Sequence, residues 1–325
     1  MTSDADQGSQ PEYASLRVEP GVALHTATWR PEHPKAILVI SHGYAEHLGR
    51  YEHVAAGLVD AGFVVWALDH RGHGRSDGAR MVITDMSSAG RDIDRLADRA
   101  AAADPELPLF LLGHSMGSVI ATEALLFDTS RWTGAILSGS PMAASSTLPA
   151  FQIEMLRRLA RLRPSLRIAP QLSADTICSD PKVVQSYLDD PLVDNGRMPV
   201  GTGASLIITA ERHQAELGGL DLPALLIHGE QDELTPIAGS ELLLEALGEG
   251  DRTFLRYPGR HEVLNESFGA QVLADVINWA EARMGNGQHR LAGRTDSSPG
   301  VSRDGDAAGE AGSDVPNPEG IAEST

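Results

Sequence analysis

Along this chain, short unbroken apolar runs alternate with longer stretches in which apolar residues recur every three or four positions. Ala36–Ser41 (AILVIS), Phe63–Leu68 (FVVWAL), residues 109–112 (LFLL), Gly134–Ser138 (GAILS) and residues 222–228 (LPALLIH) show no polar alternation. Such runs mark strands covered on both faces, as in a largely parallel sheet. Helical spacing fills the intervals at residues 51–61, Met86–Ala103 and 237–247. In Met86–Ala103 the pattern places Asp92, Asp94 and Asp98, with Arg95 and Arg99, on the wet side. Residues 14–30 partly alternate around Glu19-Pro20-Gly21, a turn signal, and predict an antiparallel hairpin at the sheet edge. A last strand at residues 253–257 and a closing helix at 263–284 complete a doubly wound, mostly parallel α/β sheet with right-handed crossovers.

The alternation stops at Pro141 and resumes at Leu222. The interval is helical in pattern, without a buried strand, and reads as a cap inserted over the carboxyl edge of the sheet. The expected organisation is therefore a disordered start (1–12), a core built from 13–140 and 216–284, a helical cap or lid (141–215) and a tail (285–325). That tail is rich in Gly, Ser, Ala, Pro and acid, cannot repay its ordering entropy and is expected to be disordered. Within the cap, Leu148, Phe151, Met155, Leu159, Leu162 and Leu166 fall on one helical face, and Arg157, Arg158 and Arg161 on another. Two readings stand: a helix packed on the core with a solvated charged face, or a lid that rests on lipid surfaces and admits an acyl chain.

Composition narrows the field. With 26 Lys+Arg against 45 Asp+Glu the net charge is −19, and a polyanion such as nucleic acid would be repelled. Cys178 is the one cysteine, which excludes an intrachain disulfide and a Cys-rich metal site. The first residues carry neither a basic nor an apolar signal region, and no apolar stretch reaches 18 residues. A cytoplasmic protein is expected, or one attached peripherally to a membrane.

The chemistry centres on Gly113-His114-Ser115-Met116-Gly117, between a buried strand and a helix. That is the strand–turn–helix context of a nucleophile elbow, whose glycines let a strained turn close and hold the serine at the strand's carboxyl end. A serine hydroxyl is a weak nucleophile until a base takes its proton and a third group holds that base. Asp232, after the LPALLIH strand, and His261, after the last strand, follow Ser115 in the order this architecture requires; Glu230 and Glu233 are neighbouring acids that fit the loop less well. Tyr44, after AILVIS, and Met116 would supply two backbone N–H donors to the oxyanion. His261 must be neutral to act, so kcat/KM is expected to rise with pH through roughly 6 to 7. His70, Arg71, His73 and Asp77 form a second cluster without further ligands nearby, and it reads as a structural loop rather than a metal site. Cys178 reads as a small, partly buried residue.

Taken together, His42-Gly43-Tyr44-Ala45-Glu46-His47 with Gly49-Arg50-Tyr51, Leu68-Asp69-His70-Arg71-Gly72-His73-Gly74-Arg75-Ser76 and the serine motif resemble the monoacylglycerol lipase family. Asp180-Pro181, Tyr187 and Asp190-Pro191-Leu192 in the cap extend the likeness, which covers roughly residues 15–284. The resemblance implies an α/β-hydrolase fold with a mobile amphipathic cap, no cofactor and no metal. It also implies a serine hydrolase that cleaves monoacylglycerols to glycerol and fatty acid through an acyl-enzyme, touching a membrane or lipid surface transiently through the cap. Carried over residue by residue, Ser115, Asp232 and His261 match the triad, and Tyr44 and Met116 the oxyanion donors. Arg50, His114 and Tyr187 match glycerol-pocket positions, and Glu46 the acid that holds the oxyanion loop. Tyr44 replaces a smaller residue and Ser118 a glycine. A lysophospholipase or broad carboxylesterase remains open, as does a catalytically silent lipid-binding scaffold.

Overall fold

The computed structural model describes residues 10–145 and 149–292. Leu148, residues 1–9 of the start expected to be disordered (1–12) and residues 293–325 of the tail expected to be disordered (285–325) lie outside them. The predicted hairpin is present: β1 (Glu12–Glu19) and β2 (Val22–Trp29) pair antiparallel, and the turn between them puts Gly21 at φ +77°, in the left-handed region that glycine enters freely. Six further strands join the same sheet: β3 (Ala36–Ser41), β4 (Phe63–Leu68), β5 (Leu109–His114), β6 (Gly134–Ser138), β9 (Ala224–Gly229) and β10 (Arg252–Tyr257). The spatial order is β1-β2-β4-β3-β5-β6-β9-β10. From β4 to β10 every pairing is parallel, and β2 runs antiparallel to both its neighbours.

The unbroken apolar runs are explained by a core on each face. Ile37, Val39, Leu109, Leu111, Leu137 and Leu226 point to one side; Leu38, Ile40, Phe110, Leu112, Ile136 and Leu225 point to the other. Helices α2 (Met86–Ala103), α3 (Met116–Phe127) and α7 (Ala238–Leu247) cover the first side, and α1 (Glu52–Asp60) and α8 (Gly269–Ala292) the second. In α2 the buried set Met86, Ala89, Ile93, Leu96, Ala97 and Ala100 keeps the helical period, and Asp85 caps its start by accepting from the N–H of Ser87. Asp92, expected on the wet side, is buried instead, because it takes two hydrogen bonds from Arg71 and a third from Arg95.

Between β6 and β9 lies the inserted segment, with α4 (Ala150–Leu162), α5 (Pro181–Asp189) and α6 (Val200–Glu216). It also holds a two-stranded antiparallel ribbon, β7 (Arg167–Gln171) with β8 (Arg197–Pro199), in a segment expected to be mostly helical. Its partners are some thirty positions apart, and Pro170 and Pro199 hide the strand pattern from a local reading. Helix α6 is fastened to the core: Thr202 and Ser205 accept from the backbone N–H groups of Ile83 and Met86, and Arg212 and His213 both bond the buried Glu123. Helix α4 sits outside it and turns Ile153 inward, while Phe151, Met155 and Leu162 are 70%, 58% and 77% exposed. The apolar face expected from Phe151, Met155 and Leu162 is thus the outer face.

The closing helix starts later than its pattern suggested. Residues 263–265 form a 3₁₀ turn, because Glu266 is buried and its carboxylate accepts from the backbone N–H groups of Ser179 and Arg260. Helix α8 then runs on past Met284 to Ala292.

Candidate active site

Ser115 stands between β5 and α3 with φ +53° and ψ −120°. A non-glycine residue at that φ stores strain on the order of 1–3 kcal/mol and persists only where the surroundings enforce it. Here the backbone enforces it. A Cβ on Gly117 would lie 2.0 Å from the Ser41 carbonyl oxygen, and one on Gly113 would lie 2.5 Å from the Gly117 carbonyl oxygen. Ser115 N–H donates to Ser138 O at 2.8 Å, and the Ser118 hydroxyl donates to Ser115 O at 2.7 Å. Ser118 thus braces the turn.

Asp232 follows β9 and His261 follows β10, both at carboxyl ends of parallel strands, where α/β sheets collect their sites. His261 Nδ1 lies 2.7 Å from Asp232 Oδ2, and both side chains are buried. Asp232 Oδ1 accepts from the N–H groups of Leu234 and Thr235 at 2.9 and 2.8 Å, and the Thr235 hydroxyl donates to Oδ2 at 2.8 Å. Burial works against the Asp232 charge, but the bonds from His228 and His261, with the Thr235 amide, hold it well below the usual carboxylate range. The neighbouring Glu230 and Glu233 take no part in this contact. With Nδ1 occupied by the carboxylate, Nε2 of His261 is left for the compartment that it lines together with Ser115. The His114 ring packs on His261 with centroids 4.7 Å apart, and burial lowers His114 to about 3, so it stays neutral.

The loop after β3 runs beside the serine: a Cβ on Gly43 would be 3.4 Å from Ser115 Cβ. Tyr44 and Met116 both border the serine's cavity, and the Met116 N–H belongs to the first turn of α3, where amides lack helical partners. Two devices hold the loop. Glu46 Oε1 accepts from the Gly43 N–H at 2.5 Å, and the His42 Nδ1 proton is donated to Gly43 O at 2.7 Å. That carbonyl belongs to the same peptide unit as the Tyr44 N–H. The His70 N–H donates into His42 Nε2 at 2.9 Å, which fixes the His42 proton on Nδ1. Burial lowers His42 and His73 to about 3 and His70 well below its ordinary value. The second histidine cluster is therefore a neutral packed support under the loop. Arg71 is taken by Asp92 and Glu19, and Asp77 accepts from the Ala23 N–H. Among the described residues, no three His, Cys, Asp or Glu side chains are grouped so as to hold a metal ion.

Two cavities meet at Ser115. The larger, about 430 Å³, is walled by apolar side chains of the inserted segment, including Leu156, Ile168, Leu172, Met198, Leu206 and Ile207. The smaller, the polar compartment, brings the polar groups of Glu46, His114, Tyr187, His261 and Glu262 together beside Leu172, Ile177 and Leu234. Arg50, expected beside the polar compartment, lies behind it. Its Nη1 donates to Glu46 and Glu262 at 2.7 and 2.6 Å, its Nη2 donates to Glu262 at 2.7 Å, and its guanidinium stacks 4.9 Å from the Tyr187 ring. Burial and the nearby Glu262 charge raise Glu46 above the ordinary carboxylate range despite Arg50, whereas Arg50 and Asn265 hold Glu262 below it against its own burial. Asp190 ties the cap motif to this region through His47 Nε2 at 2.8 Å.

Sequence reasoning missed Glu262, His228 and Thr235. Glu262 adjoins His261 and His228 ends the LPALLIH run, and neither position carries a local signal of its partners. Cys178, in turn, is buried, and burial raises its thiol to about 11.

Comparison with known proteins agrees with this architecture. Residues 32–267 match the family model described as serine aminopeptidase, S33. The chain is 38% identical to a monoacylglycerol lipase of Mycolicibacterium smegmatis over 80% of this chain and 93% of that protein. It is 32% identical to human monoglyceride lipase over 81% of this chain and 88% of that protein. Among solved structures, the monoacylglycerol lipase of Paleococcus ferrophilus superposes with a TM-score of 0.71 at 29% identity, covering 80% of this chain and 99% of that one. The chain belongs to the monoacylglycerol lipase family, carboxylic ester hydrolases built on the α/β-hydrolase fold.

Proposed function

We propose that this protein hydrolyses monoacylglycerols, with Ser115 as nucleophile, His261 as general base and then acid, and Asp232 as the group that orients His261. Ser115 Oγ attacks the ester carbonyl as its proton passes to His261 Nε2. The tetrahedral oxyanion is met by the N–H groups of Tyr44 and Met116, and collapse sends the proton from His261 to the departing glycerol oxygen. Water, deprotonated by the same imidazole, then releases the fatty acid from Ser115. The relatives named as lipases for this substrate support the reading.

The observation that carries the head-group choice is the state of Arg50. A phosphate-bearing head needs a free cation, yet among the described residues no lysine or arginine lines the polar compartment, and Arg50 is held by two carboxylates. An uncharged polyol can use His114, Tyr187 and the outer edges of Glu46 and Glu262, whereas a phosphodiester would meet the glutamates unpaired. Parallel rates on a monoacylglycerol, a lysophosphatidylcholine and a short p-nitrophenyl ester test this. Preference for the monoacylglycerol is expected, and an equal or faster lysophospholipid rate would move the function to lysophospholipase.

In the same reading the segment between β6 and β9 is a cap whose helix α4 docks on lipid. Its outer face joins Phe151, Met155 and Leu162 to the exposed Arg158, Arg161 and Arg163, a pairing suited to an anionic bilayer surface. No described helix is long and apolar enough to cross a membrane. Phe151→Ser with Leu162→Ser is expected to lose co-sedimentation with phosphatidylglycerol vesicles while keeping short-ester hydrolysis. Undiminished vesicle binding would refute the docking face.

A further inference from the structure

Asp232 stands between two imidazoles, and only one of them belongs to the proposed triad. On the far side is His228, in β9, whose side chain is fully buried. Its Nε2 lies 2.7 Å from the Thr235 carbonyl oxygen and 3.1 Å from Asp232 Oδ2. Both of those atoms can only accept, so Nε2 carries the proton. Its Nδ1 lies 2.7 Å from the hydroxyl of Ser240, itself buried in the first turn of α7, and that hydroxyl donates into it. Both ring nitrogens are thereby paired.

We infer that His228, fixed by Ser240, is a positioning residue for the reaction: it donates to Asp232 from behind and keeps Oδ2 turned to His261. The inference rests on the triad reading above. His261 and Thr235 hydrogen-bond Oδ2, and His228 Nε2, bonded to the Thr235 carbonyl, stands 3.1 Å from the same oxygen. The single Thr235 hydroxyl proton also has Gly139 O within reach at 3.2 Å, so it is not committed to the carboxylate. The His228 proton is shared only between two adjacent acceptors of the same loop. Without it, Asp232 is free to rotate about its backbone-held Oδ1, and a carboxylate turned away leaves His261 in the wrong tautomer for part of the time.

The role also has an electrostatic signature. The charged and titratable groups facing the Asp232–His261 pair are His228, His114 and, beyond His114, Glu262 and Arg50. Removing the His228 N–H takes a positive dipole end from Oδ2. The less stabilised carboxylate then holds the His261 proton more strongly, which moves the acid limb of the kcat/KM profile to higher pH.

The test compares His228→Leu, His228→Gln and Ser240→Ala with wild type and Ser115→Ala on a monoacylglycerol. His228→Leu is expected to lower kcat roughly tenfold with KM unchanged, the effect of one lost hydrogen bond to a charged group, and to shift the acid limb upward. His228→Gln, whose amide nitrogen can stand in for Nε2, should restore both. Ser240→Ala should fall between, since the His228 proton is then free to move to Nδ1. A folded His228→Leu with wild-type kcat and limb overturns the inference, as does equal impairment of the Leu and Gln variants with an unmoved limb. If the Leu variant does not fold, Ser240→Ala carries the test, and wild-type behaviour there overturns it. Activity surviving in Ser115→Ala would instead overturn the triad reading itself.

Discussion

Replacing Arg50 by Met removes the cation from a buried three-member cluster and leaves most of the side-chain volume in place. The guanidinium makes three hydrogen bonds to Glu46 and Glu262, and the three side chains are 10%, 4% and 7% exposed. In Arg50→Met, Glu46 keeps the Gly43 N–H and the Tyr51 hydroxyl, and Glu262 keeps Asn265. Neither carboxylate keeps a counter-charge. Breaking a buried pair from one side costs about 3–5 kcal/mol, or roughly 6–20 °C in melting temperature for a domain of this size. The pH dependence follows from the direction of each shift. In wild type the Glu262 carboxyl lies below its unfolded value, so it contributes stability that is present above about pH 4.3 and lost on acidification through its lower folded value. In Arg50→Met, burial acts without the guanidinium: Glu262 rises above its unfolded value, and Glu46, already above it in wild type, rises further. They then bind protons more readily folded than unfolded, so the variant loses stability as pH rises. Urea unfolding at about pH 5 and pH 8 should show a larger deficit at pH 8. A deficit below about 1 kcal/mol, or one equal at both pH values, would refute the reasoning.

Two further outcomes follow from the cavity and the thiol. Ile207→Trp, which narrows the apolar cavity, should raise KM for long-chain monoacylglycerols by about fourfold per displaced methylene, at ~0.8 kcal/mol each, and leave a short ester unaffected; an equal loss on both would point to disturbed chemistry instead. Native enzyme should resist maleimide at neutral pH, because Cys178 is buried and its thiol is raised to about 11; rapid inactivation with stoichiometric labelling of Cys178 would contradict its burial.

The sheet was legible because its information is local. AILVI and LFLL are apolar at every position, and the two cores require that. The placement of Ser115, Asp232 and His261 after β5, β9 and β10 was legible because chain order and strand ends restrict where such residues can stand. What was hidden depends on partners far along the chain. Asp92 looks wet on its own helix until Arg71 approaches from a distant loop. The period of Phe151, Met155 and Leu162 reveals one face of α4 but not its direction, since Ile153 and Leu156 serve as the inner contact. Arg50 looked available to a substrate because its nearer carboxylate, Glu46, was read as a brace for the loop, while its second, Glu262, is over two hundred positions away. His228 is silent for another reason: its partners are only seven and twelve positions away, in the following loop and the helix beyond it, and are brought together only by the fold of that loop.

The most direct test of the central claim is the site and consequence of labelling by a fluorophosphonate, read by peptide mapping alongside glycerol release from a monoacylglycerol. The account predicts one label per chain on Ser115, with activity falling in proportion to label. A label on another residue, or glycerol release that continues after Ser115 is fully modified, would contradict it.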